Sequence, residues 1–258
     1  MGPSIATQFI FEEAHAMLTR LDGVLPFALT MPFVSGAAIS DDAWLAIERR
    51  LARDRGALRR RVRRFVGWLG GPAGRRTSPR NQQRRFAVLK LQFNAVLDAL
   101  DIFADALTQR AEHQTGVWLA GLDAIADDAL RLRGGYFDPP PVITYLDRGH
   151  GAAVRRARTR LPGGRENPVA IIRIPRERMV GIGVASSLIH EVGHQGAALL
   201  RLVPSLRGAL QARAELAVED RPAWVLIARW ISEIAADYWA ILRLGVTATL
   251  GLIGVVSL

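Results

Sequence analysis

His190, Glu191 and His194 stand in the run LIHEVGHQ, from Leu188 to Gln195. Two histidines four apart share one face of a helix, a single turn from each other. Imidazoles so placed can grip one metal ion, and neutral histidine is a common zinc ligand. In an H-E-x-x-H run the glutamate stands beside the open metal position, where it can take a proton from water. The residues leading in, GIGVASSL, are small and apolar and imply a buried helix. Buried His and Glu side chains must be satisfied somehow, and a metal ion does so.

The run resembles the motif of the zincin metallopeptidases. The metzincin branch adds a Gly and a third His on the same run; the matching positions here are Ala197 and Leu200, which excludes it. No histidine follows His194, so a ligand further along must be a carboxylate, and the glutamates there are Glu215, Glu219 and Glu233. Glu233 opens EIAAD and lies one turn before Asp237. That spacing is similar to the E-x-x-x-D of gluzincins, and its E-x-x-A-D form to the prenyl-protease-like peptidases. The resemblance covers residues 168 to 243 at most. It implies Zn²⁺ held by His190, His194 and Glu233, with Asp237 orienting a zinc-bound histidine as such ligands usually require. It also implies a peptide or protein substrate, with Glu191 as general base.

Patterning adds an argument for Glu233. The 222–243 segment carries Trp224, Leu226, Ile227, Trp230, Ile234 and Ile241. These are apolar enough to pack against the histidine-bearing helix, leaving Glu233 and Asp237 as charges inside an interface. Glu215 and Glu219 lie in RGALQARAELAVEDR, a polar stretch that reads as a solvated helix face. Gluzincins commonly supply a transition-state His or Tyr from beyond the E-x-x-x-D helix, and residues 244–258 contain neither. Tyr238 points about 100° away from Asp237 around a helix and reads as core. Tyr145 is left open. His150, in RGHG, could reach an oxyanion, but its plainer reading is a surface loop. His15 and His113 read as ordinary helix residues.

Composition bounds the alternatives. The 258 residues suit one large domain or two small ones, and half are hydrophobic, enough for a sizeable core. There is no cysteine, which removes disulfides, thiolate zinc sites and cysteine nucleophiles together. The N-terminus lacks a basic region and carries Glu12 and Glu13, so it does not read as a secretory signal, and a cytoplasmic location is expected. The apolar run 244–258 is shorter than a bilayer span of ~20 residues, yet leaves membrane association open, as either a packed helix, the start of a membrane helix or the cut end of a longer chain. The net charge of +10 sits in one place. Residues 41–90 hold 15 Lys plus Arg against 4 Asp plus Glu.

The elements that must position the motif follow from periodicity. Apolar spacing predicts helices over 6–20, 41–69, 79–107 and 116–132, the second and third forming an antiparallel hairpin. Ser40 caps the second, and Pro79 opens the third. Residues 22–39 read as a loop and 71–80 as a linker. VITYL at 142–146 is a strand candidate, 148–167 an exposed Arg- and Gly-rich loop. VAIIRI, between Pro168 and Pro175, is the strongest strand signal, and its flanking prolines suit an edge. In zincins an edge strand precedes the metal helix and pairs with extended substrate. Helices follow over 182–201 and over 222–243, where Asp220 is the candidate cap.

The expected fold is α+β and mostly α. A helical region over 1–135 precedes a zincin-like core over 136–258, a small sheet plus two metal-bearing helices, cut short at its C-terminus. The expected activity is zinc-dependent peptide hydrolysis. Two alternatives stand beside it: a zincin-like fold that binds metal without peptidase activity, and a non-catalytic helical module. The latter would hold an acidic partner, nucleic acid or an anionic membrane surface, through the Arg-rich 49–64 segment.

Overall fold

The structure, a computed structural model, describes residues 4–31, 33–148, 152–176, 183–217 and 219–256. It is mostly helical with one three-stranded sheet, so the α+β, mostly α expectation is met. The chain divides into two compact units. One comprises residues 1–32, 44–108 and 160–166, the other residues 33–43, 109–159 and 167–258. This differs from a division at 135/136: residues 33–43 and 109–135 group with the second unit.

The first unit holds α1 (Ile5–Gly23), the short α2 (Phe27–Thr30), most of α3 (Asp41–Gly70), the single turn α4 (Pro72–Arg75) and α5 (Pro79–Thr108). The stretches read as loop and linker thus carry helical turns, including a 3₁₀ turn at Ser35–Ala37. Ser40 Oγ accepts the Ala43 N–H at 3.3 Å, the expected cap of α3. α3 and α5 run antiparallel, since Arg61 meets Gln92 while Phe65 meets Phe86. Their apolar stripes close on α1: Leu58, Val62 and Leu69 pack with Phe86, Leu89, Phe93, Ile10 and Met17. Gln82 is buried at the turn and fully engaged. Its Nε2 donates to the Gly74 and Thr77 carbonyls, and its Oε1 accepts from Thr7 at 2.7 Å.

The second unit holds α6 (His113–Leu130), β1 (Val142–Asp147), β2 (Ala153–Arg155) and β3 (Ala170–Pro175). It continues with α7 (Gly183–Leu199), α8 (Leu202–Leu216), α9 (Arg221–Leu244) and α10 (Val246–Val256). The strand order is β1-β3-β2, with β1 parallel and β2 antiparallel to β3. VAIIRI is therefore the central strand, correcting the edge assignment. Its prolines permit this because they lie at the ends: Pro168 precedes the strand, and Pro175 stands opposite Asp147 at the last register position. The two edges are β1 and β2, and β2 lies inside the segment read as an exposed loop. That segment also buries Ala157 and Leu161. His150 lies outside the described residues.

One face of the sheet packs on α6 and α7. Ala170, Ile172 and Ile174 share a core with Leu119, Ala126, Leu188 and Val192. A buried polar knot ties α6 to β1. The Asp123 carboxylate accepts from the Thr144 N–H and hydroxyl at 2.7 Å each, and from the Arg110 guanidinium at 3.0 Å. Among the described residues, no helix is long and apolar enough to cross a membrane. α10 accounts for the apolar C-terminal run, with Ala248 packed into the core.

Candidate metal centre

α7 carries the histidine pair on the face it turns toward α9, and two glycines let the helices approach. A Cβ on Gly193 would stand 2.9 Å from the Ala236 backbone, and one on Gly196 would stand 2.5 Å from the Trp239 ring. Both positions therefore require glycine at this separation. α9 answers with small residues, burying Ala228, Ala236 and Ala240 around Ile231 and Trp239. Trp239 also donates its indole N–H to the Ala129 carbonyl at 3.1 Å, fixing the rotation of α9.

That rotation overturns the packing expected for α9. Leu226, Ile227, Trp230 and Ile234 do not bury against α7 but lie on the outer face, and Ile241 is 43% exposed at the cavity beside the cluster. Tyr238, read as core, is 61% exposed on the outer face. Glu233 and Asp237 mark the border between the outer and packed faces. They are not charges sealed in an interface, and the Glu233 side chain is 47% exposed. Asp220 stands at the N-cap of α9 without a side-chain cap bond, while Pro222 occupies the first turn.

The geometry nevertheless brings His190, His194 and Glu233 together, with one donor atom from each within 4.8 Å of the others. Glu233 Oε2 lies 3.3 Å from His190 Nε2 and 3.4 Å from His194 Nε2. Adjacent ligands about 2.0–2.1 Å from a tetrahedral zinc stand about 3.3 Å apart, so these separations fit such an ion. The other ring nitrogens are occupied. His190 Nδ1 lies 2.7 Å from Asp237 Oδ1, and His194 Nδ1 lies 3.3 Å from Ser232 Oγ. The carboxylate of Asp237 accepts from Nδ1–H of His190, which leaves Nε2 as the ring nitrogen directed at Glu233. Two imidazole Nε2 atoms and a carboxylate oxygen that converge in this way are a donor set a divalent cation can bind. The donor set thus fits a divalent metal.

Burial pushes the His194 pKa down, with the charges of His190 and Arg156 acting in the same direction against Glu233. This favours the neutral imidazole that ligation needs. Glu191 lies one residue round the helix from His190 and is buried. Burial pushes its pKa up, and the Glu233 charge adds to this. His190, the Val154 backbone N–H and Arg173 oppose the rise. The edge strand β2 therefore reaches the carboxylate through its main chain. A cavity of about 330 Å³ opens beside the cluster, lined by Ala152, Ser186, Glu191, Glu233, Ile241 and Leu252 among others.

All five residues singled out in the sequence, His190, Glu191, His194, Glu233 and Asp237, meet in this centre. Glu215 and Glu219 do not; both are exposed, on and after α8. Sequence reasoning missed Ser232, Gly193, Gly196 and the Val154 N–H. The two glycines were visible as a pair three apart inside a helical motif, a spacing that exposes backbone to a neighbouring helix. Ser232 and Val154 carry no such signal, because their roles depend on the rotation of α9 and on a strand hidden in polar sequence. No protein-family model, no curated protein and no solved structure matches the chain.

Proposed function

We propose that the protein is a zinc-dependent peptide hydrolase with a zincin-like core, and that His190, His194 and Glu233 hold the metal. The observation that carries this reading is the convergence of the three donor atoms while Asp237 and Ser232 occupy both Nδ1 positions. A bound zinc ion supplies Lewis acidity, polarising the scissile carbonyl and easing deprotonation of water. The remaining work falls to the chain. Glu191, made more basic by burial, accepts the proton of the attacking water as the new C–O bond forms. It then delivers that proton to the departing amine as the C–N bond breaks. Asp237 keeps the His190 ring in one tautomer and orientation. β2, which has no strand on its outer side among the described residues, offers an edge along which an extended peptide can lie. The cysteine-free composition suits work in a reducing compartment such as the cytoplasm.

Two measurements test this together. Protein purified without chelator should contain about one zinc per chain, as a catalytic two-His, one-carboxylate site requires. It should also cleave members of a peptide library. Glu191→Gln should keep the zinc and lose the cleavage. Folded protein without stoichiometric metal ends the reading. Metal with no turnover leaves a metal-binding fold without peptidase activity.

A further inference from the structure

The first unit carries a charge distribution that the metal centre does not explain. From Arg55 to Leu97 the chain has twelve Lys plus Arg and no Asp or Glu. Folding concentrates these charges, because α3 and α5 run antiparallel and their basic halves meet at the α4 turn. Some are neutralised or engaged: Arg59 pairs with Asp22 at 2.7 Å, Arg61 donates to Gln92, and Arg75 donates to the Gly70 carbonyl. Arg60, Arg63, Arg64, Arg76, Arg80 and Arg84 are exposed, and their side chains make no intramolecular hydrogen bond or ion pair among the described residues. Like charges held this close repel one another, and a polyanion relieves that repulsion.

The side chains beside them distinguish the kinds of polyanion. On α5, Arg80, Arg84, Val88 and Leu91 follow at spacings of four, four and three, so they form one stripe. Val88 is 51% and Leu91 70% exposed. Large apolar groups among unpaired cations match a lipid interface, where arginine meets the phosphate level and apolar side chains enter the acyl boundary. A nucleic acid would offer those groups little. On this hairpin the Trp68 indole already has the Arg85 guanidinium 4.4 Å from its ring centroid, which occupies that face against a base. We infer that the α3–α5 helical hairpin docks peripherally on an anionic phospholipid bilayer.

Sedimentation of the full chain with vesicles tests this. Phosphatidylcholine vesicles are compared with vesicles that also contain phosphatidylglycerol, at low and high salt. The chain should partition onto the anionic vesicles only, and high salt should release it. Each arginine at the surface contributes about fivefold in partitioning. The combined variant Arg60→Gln, Arg64→Gln, Arg80→Gln, Arg84→Gln should therefore bind several hundredfold more weakly. These positions are exposed on helices, and an unchanged circular dichroism spectrum checks that the fold is kept. Leu91→Ser should weaken vesicle binding about fivefold or more and leave binding of a labelled DNA duplex unchanged. Three results overturn the proposal: no partitioning onto anionic vesicles at low salt, equal partitioning onto neutral vesicles, or vesicle binding indifferent to Leu91→Ser with tighter binding to the duplex. The last assigns the surface to nucleic acid. Metal content and peptide turnover take no part in this test, so its failure is separate from failure of the hydrolase reading.

Discussion

Asp237→Ala removes the acceptor that fixes the His190 ring without touching a proposed metal ligand. The bond it breaks is short, 2.7 Å, and charge-assisted. Without it, two losses follow. The ring divides between two tautomers, only one of which presents an Nε2 lone pair to Glu233, and it regains rotational freedom about χ2. Partners of metal-bound histidines typically contribute 10–100-fold in affinity, or about 1.4–2.7 kcal/mol. The geometry places Asp237 at the upper end of that range. Ser232, at 3.3 Å from His194 Nδ1 and uncharged, belongs at or below the lower end. Zinc affinity is read by competition with a chromophoric chelator at fixed pH. The expected order is parent, Ser232→Ala, Asp237→Asn, Asp237→Ala, from tightest to weakest. Asparagine ranks above alanine because its amide oxygen still accepts from Nδ1–H while the charge is lost. An Asp237→Ala protein that binds zinc like the parent refutes the reasoning. So does a Ser232→Ala protein weaker than Asp237→Ala, since His194 and not His190 would then be the ring whose orientation matters most.

Further outcomes follow from the same geometry. Glu233→Ala should lower zinc affinity by orders of magnitude while Glu215→Ala leaves it near the parent value; the reverse result moves the third ligand to α8. Gly193→Ala should destabilise the fold by about 1–3 kcal/mol in chemical denaturation, because its Cβ meets the Ala236 backbone at 2.9 Å rather than a yielding side chain. A stability change within error would mean that α7 and α9 separate easily. Glu191 works ionised and burial raises its pKa, so kcat/KM should fall as pH drops through a value above the ordinary carboxylate range. An acid limb at ordinary carboxylate pH would show that another group controls it.

The helices of the first unit were legible because their stripes are long and regular. Leu58, Val62, Phe86, Leu89 and Phe93 repeat at helical spacing and pack together as that spacing requires. The sheet was legible only in part. VITYL and VAIIRI announce themselves by β-branched content, whereas Ala153–Arg155 is three residues of polar-flanked chain. Its pairing is fixed by β3 beside it, not by its own propensity. Prolines at both ends of VAIIRI then argued for an edge, but proline bars a strand from the middle of a sheet only where its missing N–H falls within the ladder.

The centre was legible where its spacing is local and illegible where it depends on rotation. His190 and His194 face the same way whatever else the chain does, as do Glu233 and Asp237, because four residues make one turn of helix. What joins the pairs is the angular setting of α9, and hydrophobicity alone predicts that setting wrongly. A rule that buries the largest apolar residues turns Trp230, Ile234 and Ile241 inward. The helix instead turns its alanines inward, because Gly193 and Gly196 create a surface that only a close-approaching backbone can fill. Close approach is also what chemistry demands here: glutamate is short, and Glu233 Oε2 reaches within 3.4 Å of both imidazoles only if the helix axes are near. Glycine on α7 and alanine on α9 are therefore part of the proposed metal centre as much as the residues that would touch the ion. The apolar residues displaced to the outer face of α9 are a consequence of that choice.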